Sequence, residues 1–290
     1  MSPEVTVLMS VYNGERYLRE SIESILNQTF SDFEFLIIND GSTDSSREII
    51  LSYDDPRIIL VDNEENMGLA KSLNIGIHRA RGVYIARQDA DDVSHPSRLK
   101  IQYDYMETNN CDVTCCRYQY MDKRGKRLLL VSEMFSAQSL TRRLIDLKDP
   151  IAHGSVLMKK KSLIEAGRYN ESFEFSQDYE LWLRLLSMDK RIECIDYVCY
   201  YHRLLPKTNK IKISAQRRYA SMVADYYVKN SGIPTSELPD FRNELISERG
   251  LHQSHRESLL QRFFYWFIIG RIQLKGFFKS IKSVSVKLVW

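Results

Sequence analysis

Apolar and polar positions fall into regular blocks along the first 90 residues. Residues 5–9 (VTVLM) are almost wholly apolar, and residues 33–38, 57–61 and 83–86 repeat the pattern. Short apolar runs of this kind predict strands buried on both faces of a parallel sheet. Between the first two, Ile22, Ile25 and Leu26 recur at helical spacing and predict a helix over residues 15–27. A second helix is expected up to residue 51, with Thr43 or Asp44 placed to cap it, and a third over 69–80. Strand and helix in this rhythm predict a doubly wound, mostly parallel α/β sheet.

Each strand is followed by polar residues. Ser10 and Tyr12 follow the first, the turn cluster NDGSTD with Asp40 follows the second, and Asp89, Asp91 and Asp92 follow the fourth. Asp is a poor strand former, so the fourth strand should stop at Ala86 and leave the acids in a loop. Open α/β sheets bind ligands at the carboxyl edge of their strands, where all of these residues should converge. Three carboxylates within four residues repel one another, and a hard divalent cation such as Mg2+ or Mn2+ would relieve them. A solvated acidic turn is the plainer alternative. Neither the glycine-rich dinucleotide fingerprint nor a P-loop is present.

Five segments, taken in order, carry a specific resemblance: VTVLMSVYN, NDGSTD, NMGLAKSLN, ARGVYIARQDADD and QDYELWLRL. Together they resemble a family 2 glycosyltransferase of the GT-A nucleotide-sugar-binding fold, over residues 5 to about 205. The resemblance implies a domain at 1–205, with a nucleotide-sugar half at 1–95 and an acceptor half at 96–205. It implies that Ser10, Tyr12 and Asp40 hold the nucleobase, that Lys71 approaches the nucleotide, and that Asn66 lies nearby. Asp89 and Asp91 match the family's Asp-x-Asp motif, which contacts the ribose and a diphosphate-bound metal, with Asp92 adjacent. Asp178 matches the general base of an inverting transfer from a nucleotide sugar, a UDP-sugar by preference, to a glycan or lipid-linked hydroxyl. Read on its own, Asp178 is equally well placed to N-cap the helix that carries Leu181, Trp182, Leu185 and Leu186. A sugar nucleotidyltransferase is an alternative, disfavoured because no glycine-rich basic loop follows the first strand. A silent glycan-binding protein is another, disfavoured because Asp40, Asp89, Asp91 and Asp178 are all intact.

The acceptor half is expected to hold a helix over 96–106, strands over 112–119 and 128–131, and a strand over 156–158. His153 has a structural and a phosphate- or acceptor-touching reading. Tyr200-Tyr201-His202-Arg203 resembles a late family element in permuted order, which leaves a metal or phosphate contact from His202 open. Beyond residue 206 a helical extension is expected, with helices near 214–228, 241–249 and from 257 onward. The net charge of +3 divides unevenly: residues 256–290 carry +6, which leaves −3 on the rest. That basic tail flanks a stripe of Phe263, Trp266, Phe267, Phe277 and Phe278, the composition of an in-plane helix on an anionic membrane. The longest apolar run, 263–269, is too short to span a bilayer, and no secretory signal opens the sequence. These features lead to an expected peripheral position on the cytoplasmic face, with reduced thiols at all five cysteines and no nucleic-acid partner.

Overall fold

The computed structural model describes residues 2–205 and 210–229. In chain order they form β1 (Val5–Val11), α1 (Glu15–Leu26), β2 (Phe33–Asn39), α2 (Ser46–Leu51), β3 (Ile58–Asp62), α3 (Leu69–Arg79) and β4 (Tyr84–Asp89). Then follow β5 (Val93–Ser94), α4 (Arg98–Asn109), β6 (Val113–Met121), β7 (Arg127–Val131), α5 (Ala137–Ile145), a short 3-10 turn (His153–Ser155) and β8 (Leu157–Lys159). The last described elements are α6 (Lys160–Glu165), α7 (Gln177–Ser187), β9 (Ile192–Arg203) and α8 (Lys210–Lys229). These described residues fall within one unit, Met1–Arg242, and the tail helices expected after residue 240 lie outside them.

The strands make one sheet in the order β3-β2-β1-β4-β8-β6-β9-β5, with β7 alongside β6. The first four run parallel; β8 is antiparallel to both β4 and β6, and β9 is parallel to β6. Strands β6 and β9 therefore point the same way as β1, β2, β3 and β4, so six carboxyl ends lie along one edge. The doubly wound GT-A sheet is as expected. Near-continuous burial along β1 and β2 explains the apolar runs, since helices cover both faces.

Several boundaries differ, each for a physical reason. β4 continues past Ala86 to Asp89, because Arg87, Gln88 and Asp89 pair in register with Leu8, Met9 and Ser10 of β1. Their polar side chains are tolerated in the sheet because buried partners receive them. The YYHR segment, Tyr200–Arg203, is the end of strand β9. Helix α4 starts at Arg98, after Pro96, two residues into the expected 96–106 span, and buries Leu99. Helix α8 overlaps the expected 214–228 helix and begins four residues earlier.

Candidate active site

Two loops after β1 and β2 are bolted to each other. Asn13 adopts a left-handed backbone, φ 52°, and its Oδ1 accepts from the Thr43 amide at 2.8 Å. Asp44 then caps two helices at once, accepting from the Glu15 amide and the Ser46 amide, both at 3.0 Å. Neither helix needs a side-chain cap of its own because this carboxylate serves both. The Asp40 amide donates to the Val11 carbonyl at 2.8 Å, which places Asp40 beside Tyr12.

Asp40 is buried and already engaged. Its Oδ1 accepts from Asn63 Nδ2 at 2.8 Å and the Met67 amide at 2.9 Å, and its Oδ2 accepts from the Gly68 amide at 3.0 Å. A carboxylate offers about four acceptor sites, so one position on Oδ2 is left for a ligand donor. Tyr12 is half exposed above this loop. Asn66 is exposed and accepts from the Gly68 amide at 3.1 Å. Lys71 stands exposed in the first turn of α3 and makes no hydrogen bond or ion pair among the described residues.

At the end of β4, Ser10 lies directly across from Asp89. This joins the nucleotide-side loops to the acids. Each of the three carboxylates has a different environment. Asp89 Oδ1 accepts from the buried Arg87 guanidinium at 2.6 Å. Burial opposes its charge most, but Arg87, His153 and His202 together outweigh it and hold the carboxyl below the usual range. Asp92 is buried and gripped by the end of β9: it accepts from the Arg203 amide at 2.7 Å, and His202 Nδ1 lies 2.9 Å from its Oδ2. Burial works against a charged His202, yet Asp92, Asp89 and Asp91 together raise its pKa. Arg203 also donates to the Asp91 carbonyl at 2.7 Å and to Glu20 at 2.5 Å.

Asp91 is the exception. Its carboxylate makes no hydrogen bond to another described residue. Burial first, then Asp92 and Asp89, push its pKa up to about 7.

Asp178 is not the N-cap of α7; Ser176 holds that position, and Asp178 is the helix's second residue. Its Oδ1 accepts from the next amide, Tyr179, at 2.8 Å, one of the free amides of the helix's first turn, and the residue remains half-buried. His153 lies within electrostatic reach of both Asp178 and Asp89. Burial, then Arg87, lower its pKa to about 4, which makes it a neutral imidazole at neutral pH. Its Nε2 is 2.7 Å from the Tyr169 hydroxyl, and its ring stands edge-on to Trp182 at 6.2 Å. His153 thus links the acidic turn to the expected base. Next to it, a Cβ on Gly154 would collide with the Tyr200 hydroxyl and come within 2.7 Å of Asp89 Oδ2, so only glycine fits.

Comparisons with known proteins agree with this layout. The glycosyl transferase family 2 model matches residues 6–167. The uncharacterized glycosyltransferase MJ1057 of Methanocaldococcus jannaschii is 34% identical over 235 residues, covering 79% of this chain and 80% of that protein. The chain belongs to glycosyl transferase family 2. Other similar proteins include the uncharacterized glycosyltransferase RT0329 of Rickettsia typhi, 34% identical over 64% of this chain and 59% of that protein. The putative glycosyltransferase EpsE of Bacillus subtilis is 34% identical over 63% of this chain and 66% of its own length. Among solved structures, S. aureus TarS 1-349 with UDP superposes with a TM-score of 0.63 at 20% identity, over 89% of this chain and 77% of that one. The mannosyltransferase PcManGT of Pyrobaculum calidifontis, with GDP-Man and Mn2+, gives 0.57 at 17% over 88% and 77%. Both share the fold. The nucleotidyltransferase alternative gives way to the family.

In this family 2 site, the buried cations were not anticipated. Arg87 was placed just past the end of an apolar strand and given no role, yet it lies inside that strand. A charged residue inside such a strand is itself a signal, since buried charge demands a partner. Arg98 is likewise fully buried, donating to Gln102, Ser94, Gln88 and the Arg87 and Val156 carbonyls. Asp149 was also missed: its Oδ1 accepts from the Ile151 amide at 2.9 Å, and it lies near enough to Asp178 for the two charges to oppose each other.

The Asp40 geometry yields a direct expectation. Asp40→Ala strips three bonds from the 63–68 loop and should cost about 3 kcal/mol of stability. Amide exchange at Met67 and Gly68 should accelerate while exchange in β6 is unchanged. Unaltered protection at those two amides would contradict the bonding described.

Proposed function

We propose that this family 2 enzyme moves a sugar from a nucleotide sugar, a UDP-sugar by preference, to a glycan or lipid-linked hydroxyl with inversion. One observation carries the proposal. Asp91, a carboxylate left unpartnered just past β4, stands beside Asp89, and Asp89 and the half-buried Asp178 at the start of α7 both act on His153. The first suits a diphosphate-bound cation, the second a general base. TarS bound to UDP or UDP-GlcNAc, and PcManGT bound to GDP-Man and Mn2+, supply the donor class by analogy of fold.

The residues fit a divalent cation in a particular way. Among the described residues no three His, Cys, Asp or Glu side chains form a closed metal site. Asp89 is occupied by Arg87 and Asp92 by His202 and the Arg203 amide, so Asp91 is the carboxylate available. One protein carboxylate suits Mg2+ or Mn2+, which keep waters and take the remaining ligands from substrate phosphates. Such an ion, when bound, neutralises diphosphate charge and makes the nucleoside diphosphate a better leaving group.

The protein's own residues do the rest. Ser10, Tyr12 and the open position on Asp40 receive the nucleoside, with Lys71 and Asn66 at the rim. Asp89, held charged by Arg87, lies between the nucleoside loops and the acidic turn. Asp178 accepts the proton of the acceptor hydroxyl as its oxygen attacks the anomeric carbon. One base with no second nucleophile suits a single displacement, which inverts configuration. Neutral His153, bonded to Tyr169, spaces the two acidic regions without adding a charge.

Two measurements test the assignment. Asp178→Asn should leave nucleotide affinity within twofold and lower transfer by roughly 10²- to 10⁴-fold, the usual worth of a general base. Transfer at the wild-type rate would remove Asp178 from the chemistry. For Asp91 the pH sign is definite: a carboxyl raised to about 7 binds a cation only after losing its proton. Mn2+ affinity, measured calorimetrically with UDP present, should therefore strengthen between pH 6 and pH 8 and lose that slope in Asp91→Asn. A pH-independent affinity in the wild type would place the cation elsewhere.

The reading extends to location. Among the described residues no helix is long and apolar enough to cross a membrane. The +6 charge of residues 256–290, beside its aromatic stripe, supports reversible binding to an anionic bilayer face, at about 1 kcal/mol per basic residue. The full chain should float with anionic vesicles at low salt and dissociate at high salt. Equal flotation with neutral vesicles would remove the electrostatic contribution.

A further inference from the structure

A second feature of the carboxyl edge has no place in the donor site. Tyr118 and Tyr120 alternate along β6 and so share one face of the sheet, and His202 of β9 pairs in register with Tyr120. The three rings meet edge-to-face, with centroids 5.3 Å apart for Tyr118–Tyr120, 5.8 Å for Tyr118–His202 and 5.6 Å for Tyr120–His202. All three are only half-buried, and the His202 side chain is 40% exposed. The Tyr118 and Tyr120 hydroxyls are 3.4 Å apart. They share at most one hydrogen bond, which leaves one O–H free to donate.

The position of this box decides what it is for. On one side His202 bonds Asp92 and thus touches the acidic turn. On the other, Asp149 lies close enough to influence Tyr118 and is itself influenced by Asp178. The box therefore touches the acidic turn directly and lies on the side of Asp149, a neighbour of the expected base. In the sheet order β2 and β1, which carry the nucleoside loops, lie on one flank of β4, and β6 and β9 lie on the other. A ligand in the box is thus separated from the nucleoside by the acidic turn.

We propose that Tyr118, Tyr120 and His202 form the acceptor subsite and hold a pyranose ring of a glycan acceptor. A pyranose presents apolar C–H faces ringed by hydroxyls, and half-exposed aromatic rings carrying phenol and imidazole donors match both features. A flexible lipid tail or a peptide hydroxyl would have no use for three such rings. The proposal rests on the glycosyltransferase reading with Asp178 as the base, and its test separates the two.

The test is saturation-transfer NMR on the full chain with diamagnetic Mg2+, using UDP and a panel of methyl pyranosides of gluco, galacto, manno, rhamno and N-acetylglucosamine configuration. At least one pyranoside should receive saturation from the wild type. Tyr120→Ala should weaken its binding about tenfold, Tyr120→Phe should retain most of it, and the UDP signal should be the same in all three. Circular dichroism checks folding, and Tyr120→Leu, which keeps apolar volume, takes the place of an alanine variant that unfolds. A pyranoside signal indifferent to Tyr120, or no pyranoside signal while UDP binds, overturns the subsite. A Tyr120-dependent pyranoside signal with no UDP signal keeps the subsite and overturns the donor reading instead.

Discussion

Like charge concentrated at the end of one strand is the constraint around which this molecule is built. Asp89, Asp91 and Asp92 follow an apolar strand in the middle of the sheet. Two unit charges 4 Å apart cost about 4 kcal/mol at the dielectric of a protein surface, so three carboxylates need compensation. The fold supplies it from below and from the side. Arg87, inside β4, neutralises Asp89; His202 and the Arg203 amide, at the end of β9, neutralise Asp92. Asp91 receives no hydrogen bond from another described residue, and burial, then Asp92 and Asp89, raise its pKa despite His202. Unrelieved charge at one defined atom pair is what a cation-bound diphosphate would complete.

The surrounding structure makes that arrangement rigid. The YYHR strand end pairs along β6 and clamps the acidic turn through Arg203, which also reaches Glu20 on α1. Asp44 and Asn13 tie the β1 and β2 loops together, so the nucleoside side is fixed relative to the acids by Ser10 facing Asp89. Gly154 allows the His153 turn to pack directly against Asp89 and Tyr200, where any side chain would collide. Catalytic groups held on strand ends and helix starts lose little freedom when substrate binds.

Most of the frame was legible in the sequence because the signals were periodic. Four apolar runs, separated by helical spacing and ended by turn residues, specified the parallel half and its ligand edge. The five family motifs then identified the acids and Asp178. What stayed hidden depended on long-range contacts. β4 was expected to stop at Ala86, because nothing local says that Arg87 and Gln88 find buried partners in β1, α1 and α4. Asp178 was equally readable as a helix cap, and only the left-handed Ser176 before it shows the helix starting earlier. His202 was left open because its role is to pair with Asp92, 110 residues away. The cluster of Tyr118, Tyr120 and His202 likewise exists only once β6 and β9 are neighbours.

The central claim is that the acidic turn serves a nucleotide-sugar diphosphate through a cation. Nucleoside diphosphate release from a panel of nucleotide sugars, with and without a chelator, tests it most directly. The account predicts release from a narrow set, led by a UDP-sugar, that stops when divalent cations are removed and returns with Mn2+ or Mg2+. Release that proceeds equally with the chelator present, or that survives in Asp91→Ala with an unchanged cation requirement, would contradict it.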